Sequence, residues 1–160
     1  VQFVSPFQTE EQKRLDRVGH VLRIAPRLTA ALFSKVVMGA GTRSAEPSRA
    51  RHAERLAHLV VAEAWIDASL LLIERELPGW HLRRLISDGG EWMCSLSRHP
   101  CIPVEMDVAA DGRHGIIPIA ILLSFVAAKA LTTTDELALN VSVPKVKPAF
   151  GYPVCCDDFG

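Results

Sequence analysis

Cysteine, aromatic residues and net charge are all scarce in this chain. Cysteine occurs four times in 160 residues, aromatic residues make up 6%, and the charges cancel to zero. Cys94, Cys101, Cys155 and Cys156 are too few and too unevenly placed to frame a disulfide-stapled secreted domain, so reduced thiols in a cytoplasm are the expectation. The adjacent Cys155–Cys156 pair supplies at most two metal ligands and reads as incidental, in a C-terminal tail. The first residues, VQFVSPF, lack the basic start, apolar centre and small-residue cleavage site of a secretory signal. That gives no support to export, although a chain without an initiator Met could have lost such a signal by processing or truncation. There is no P-loop, G-x-G-x-x-G, H-E-x-x-H, paired C-x-x-C or G-x-S-x-G, which sets aside enzymes carrying those local signatures and no others. No cofactor and no bound metal are expected.

What is present is ordinary for a globular domain: 49% apolar and 22% charged residues, in a length that favours one core. The charge is unevenly spread. Residues 1–60 hold ten Lys/Arg against five acids and residues 61–160 hold eight against thirteen, so the halves carry +5 and −5. A basic N-terminal arm could meet nucleic acid, but no aromatic residues are interleaved with its cations to stack on bases. Pairing of the two halves, within a monomer or across a homodimer, is the favoured reading.

Four segments follow from periodicity: a basic N-terminal helical segment (1–38), a linker (39–48), a core (49–131) and a partly ordered tail (132–160). In the first, Thr9 and Gln12 fit a capping box, and Leu15, Val18 and Leu22 form one apolar stripe that Pro26 ends. A second short helix spans about 28–38. The core opens with a long helix from Pro47 to about Leu77, roughly 45 Å at 1.5 Å per residue, a length that invites a bend. Its Glu63, Asp67 and Glu74 share one stripe and read as a solvated edge, since no partner helix supplies matching ligands. Pro78-Gly79 stops it, and a hairpin turning on the DGG at Asp88 to Gly90 follows. Trp92, Cys94 and Leu96 lie on one face of the second strand, while Trp80, Leu82 and Ile86 point the same way as one another in the first. Residues 98–115 read as irregular. Ile116 to Ala128, uncharged, is too short to span a bilayer and reads as a buried helix with Pro118 in its first turn, so no membrane association is expected.

The expected fold class is therefore α+β, helix-dominated: N-terminal helices followed by a helix–β-hairpin–helix core. The order LLIERELPGW, then EWMCSLS, then IPIAILLSFVAAKA resembles small uncharacterised bacterial proteins and the phage-type alpha-beta-alpha sandwich domains. The resemblance covers about half the chain, implies a helix, a short hairpin and an Ala/Leu-rich helix in that order, and brings no catalytic residues with it. A hairpin alone is marginally stable, so its sheet is expected to be covered by helices or continued in a second copy, and self-association is the expected partnership. Function is expected to be that of a non-enzymatic accessory or protein-interaction module with an unidentified protein partner. The alternatives are a metal-dependent or hydrolytic enzyme using His99, Cys101, Asp107 and His114, which fall in one irregular stretch, or nucleic-acid binding by the basic helices.

Overall fold

The computed structural model of the chain describes residues 10–41 and 47–140; Thr9, the centre of the linker and the Cys155–Cys156 pair lie outside them. Among the described residues the order is α1 (Glu10–Ile24), α2 (Ala30–Ala40), α3 (Pro47–Val61), α4 (Trp65–Glu76), β1 (His81–Asp88), β2 (Glu91–Ser97), a 3-10 turn (Val104–Met106), β3 (Ala109–His114) and α5 (Ile117–Asn140). The fold is α+β with helix in the majority, and its elements follow the expected order.

α5 is the axis of the molecule. Every residue from Ile119 to Val126 is buried, because α1 and α4 pack on it and β2 and β3 lie across it. A helix surrounded in this way needs apolar residues all round rather than one stripe. This explains the unbroken run in the sequence. Fully burying a side chain of the size of Phe125 contributes about 1.5–3 kcal/mol. The stretch Ile117–Asp135 is long and apolar enough to cross a membrane by length and composition, and half of it is buried inside the fold. Pro118 sits in the first turn, where a missing N–H costs nothing.

The anticipated single long helix is in fact two. After Val61 the chain makes a Schellman stop: the Ala64 N–H donates to the Leu59 carbonyl (2.9 Å), and the Glu63 N–H to the Val60 carbonyl (3.1 Å). Glu63 holds the left-handed position at φ 54°. Glycine usually marks such a stop, and a glutamate there leaves the helical pattern unbroken to the eye. α4 then restarts at Trp65, whose ring lies 6.0 Å from that of Phe33 in α2. Glu63, Asp67 and Glu74 are all exposed.

The hairpin is also not alone. Residues 98–115, irregular by sequence pattern, contain β3, which pairs antiparallel with β2 from Trp92↔His114 to Ser97↔Ala109 and gives the order β1-β2-β3. The chain thus supplies its own third strand, and α5 covers one face. Cys94 and Leu96 point to α5 as expected and are fully buried. β1 departs from plain alternation. The register slips between Leu82, opposite Leu96, and Arg84, opposite Ser95, so Arg83 is a bulged residue and Leu82 and Ile86 fall on opposite faces. Finally, α5 runs to Asn140, so the expected tail from 132 begins as helix.

Candidate functional site

The bulge determines what the 98–108 loop can do. An extra residue in one strand re-aims its side chain, and the guanidinium of Arg83 is carried to the far end of the sheet. There its Nη1 donates to Asp107 Oδ2, and its Nη2 donates to the Ile102 carbonyl at 2.8 Å. Ser97, the last residue of β2, donates its hydroxyl to the same Asp107 oxygen while accepting the His99 N–H at 3.0 Å. Both ends of the loop are therefore tied to the sheet through one carboxylate and one hydroxyl. The Ser97 hydrogen bond holds the Asp107 carboxyl below the ordinary Asp range; burial opposes this, and Arg83 and, more weakly, His99 reinforce it.

The sign of the linkage follows. A carboxylate whose folded pKa lies below its unfolded one adds stability above the unfolded value and loses it as pH falls through the folded value. Asp107→Asn should therefore be less stable than wild type, by an amount that is constant above about pH 5 and shrinks below about pH 4. Denaturant melts of both proteins from pH 3 to 7 would check it, and a difference independent of pH would mean that the Asp107 charge contributes nothing.

Beside this clasp lies a cleft of about 280 Å³ lined by residues of the α4–β1 connection, the 98–108 loop and α5, among them Trp80, Arg98, Ile102, Met106, Val108 and Leu131. Arg98 spans it. Its guanidinium lies 5.1 Å from the centre of the Trp80 ring and donates to Asp135 (3.0 Å) and Thr132 (3.3 Å) of α5. Trp80 is buried, while Met106 and Val108 are 76% and 65% exposed.

The four residues drawn from the sequence do not form one centre. His99 and Asp107 both line the cleft. Asp107 is engaged by two donors, and His99 is exposed. Cys101 is exposed and is not among the lining residues. His114 stands at the other end of β3, five residues from Ala109 and so about 16 Å along the strand. Its Nδ1 accepts the Ile116 N–H at 3.1 Å, which fixes the entry to α5. Among the described residues no three His, Cys, Asp or Glu side chains gather where they could hold a metal ion. No family model, curated protein or solved structure matches this chain. What the site can do rests on its own geometry.

Cys94 is confirmed as a core thiol. It lies 3.1 Å from the Ser124 hydroxyl of α5, and burial pushes its pKa up, with the Asp111 charge adding to the rise and the Ser124 contact offsetting part of it. A thiol kept protonated and out of solvent is a poor nucleophile. Sequence reasoning passed over Trp80, Arg83, Ser97, Arg98, Met106 and Asp135. One signal for Arg83 was available: two adjacent arginines in an alternating strand force one of them towards the covered face unless the strand bulges.

Proposed function

We propose that the protein is a non-enzymatic interaction module that binds an apolar segment of a partner protein in the cleft beside the 98–108 loop. One observation carries this reading: Trp80, Met106 and Arg98, three residue types enriched in the cores of protein interfaces, line a single cleft together with the exposed apolar side chains of Ile102 and Val108. Surface apolar residues scattered singly need no explanation, whereas three gathered around one concavity do. Met adapts to different apolar shapes, which suits a site for a partner side chain. The two-point tie through Asp107 supports it further, since a loop held in place loses less entropy on binding. The engagement of Asp107 by Ser97 and Arg83 weighs against the hydrolytic alternative, because an acid or base must reach its substrate.

Peptides selected from a displayed random library on the wild-type protein provide the test. Met106→Asp and Val108→Asp should each weaken binding of the selected peptides about tenfold or more, as loss of a central interface contact does, with unchanged thermal melts. Cys101→Ser should leave binding intact. Peptides that bind both cleft variants as tightly as wild type would overturn the proposal, as would hydrolysis of ester or peptide substrates that disappears in His99→Ala.

A further inference from the structure

Among the described residues the outer edge of β1 has no strand beside it. β3, at the opposite side of the sheet, is flanked by α1, whose Leu15, Asp16, Gly19 and Arg23 form a crevice with Asp111, Gly112 and Arg113. Among the described residues β1 pairs with β2 alone, and its last three residues, Ile86 to Asp88, are exposed. Unpaired strand edges invite another strand. The remaining question is which strand, and the residues of β1 answer it.

Gly89 and Gly90 both have positive φ, 59° and 89°, as a two-residue hairpin turn requires. Such a turn makes Asp88–Glu91 the hydrogen-bonded pair that closes it, so Arg84, Ile86 and Asp88 direct their backbone groups inward to β2. Leu85 and Ser87 direct theirs outward. Between the bulge and the turn, a second β1 running antiparallel forms two hydrogen-bonded pairs only where Leu85 of one copy faces Ser87 of the other, against one pair for Leu85 facing Leu85 or Ser87 facing Ser87, which places the twofold axis at Ile86. That register sets Ile86, 40% exposed, against its own copy and Arg84 against Asp88, twice over. The opposed side chains are in non-hydrogen-bonded pairs, where they approach most closely.

The charges call for this partner. Arg84 and Asp88 are exposed, and neither makes an ion pair or side-chain hydrogen bond among the described residues. Asp88 also stands directly opposite Glu91 in the hairpin, a like-charge pair that destabilises a sheet by itself. An arginine arriving beside Asp88 offsets that repulsion. We infer that two copies of this chain join through β1, antiparallel about a twofold at Ile86, into one continuous six-stranded sheet held in register by reciprocal Arg84–Asp88 pairs. The bulge at Arg83 ends the joint on one side and the Gly89-Gly90 turn ends it on the other, so it is short and its dimer is weak.

Sedimentation equilibrium over a concentration series tests the joint by charge reversal. The wild type should half-dimerise between about 10 and 100 μM, in keeping with an interface below the standard size. Arg84→Asp and Asp88→Arg each set like charges opposite one another at both contacts and should weaken the dimer at least tenfold. An equimolar mixture of the two variants should dimerise like wild type, and so should the doubly reversed chain. These positions are exposed, so melting temperatures should stay within a few degrees of wild type and show that the variants fold. A wild type that remains monomeric at about 500 μM overturns the inference, because even weak specific interfaces assemble there. Single variants that dimerise as well as wild type overturn it too, and failure of the mixture to recover refutes the register. Peptide binding in the cleft is read separately, so either proposal can fail without the other.

Discussion

Gly112→Ala should lower the stability of the folded protein by about 3 kcal/mol or more, a large share of the margin by which a domain of this size stays folded. Gly112 lies in β3 opposite Cys94, where the sheet presses on α5. A Cβ there would stand 2.4 Å from the Ala120 carbonyl oxygen, 2.4 Å from the Ser124 nitrogen and 2.8 Å from Leu123 Cβ. Two of these atoms are backbone of a buried helix and cannot swing aside, so the sheet and α5 must separate along their contact. Leu123→Ala should not rescue the variant, since it leaves the backbone collisions in place. Gly115→Ala is the control. Its added Cβ would meet nothing closer than 4.0 Å, and its cost should stay within about 0.5 kcal/mol. Urea unfolding of the three variants decides the matter, and a loss below about 1 kcal/mol for Gly112→Ala would mean that sheet and helix do not meet this closely.

The second large effect is expected at Glu76, the last residue of α4. Its side chain is wholly buried, with Arg75 Nε at 2.8 Å and Lys129 Nζ of α5 at 3.9 Å, and those two cations are only 14% and 13% exposed. Taking one member from a buried charge group strands the others, at a typical cost of 3–5 kcal/mol. Glu76→Ala should lose about that much, because it removes the buried carboxylate that sits between the Arg75 guanidinium and the Lys129 ammonium. Glu76→Gln should fall between, since it keeps the shape and some hydrogen bonding. Glu74→Ala, two residues earlier and exposed, should change stability by less than about 0.5 kcal/mol. If Glu76→Ala and Glu74→Ala prove equally mild, the charge group does not hold α4 to α5.

The contrast between Glu74 and Glu76 shows where sequence reasoning reached its limit. Glu63, Asp67 and Glu74 stand out because they share a helical stripe, and they are solvated as that pattern suggests. Glu76 reads as one more charge before the Pro78-Gly79 stop. Its importance comes from Lys129, 53 positions later in the sequence, which no local pattern connects to it. The site followed the same rule. His99 and Asp107 were found because the loop that bears them is irregular and polar, yet the clasp that fixes Asp107 comes from Arg83 and Ser97 in two different strands. β3 was missed because AADGRH is short, small and charged. It pairs through its backbone, with Gly112 chosen for a close approach rather than for strand preference.

The sequence by itself determined the elements whose cause is local. Helix starts at Glu10 and Pro47, the glycine turn at Gly89-Gly90, the inward side of Cys94 and Leu96, and the buried character of α5 all follow from capping, backbone freedom and hydrophobic period, which act within a few residues. Only the tertiary structure decided the break at Glu63, the bulge at Arg83, the third strand, and the meeting of Trp80, Arg98 and Met106 around one cleft. The bulge, the third strand and the cleft depend on residues far apart in the chain, while the break at Glu63 is closed by local hydrogen bonds that no glycine announces. Burial and pairing there outweigh local preferences of about 1–2 kcal/mol per residue, such as the ordinary reluctance of a glutamate to adopt a positive φ or of a glycine to sit in a strand.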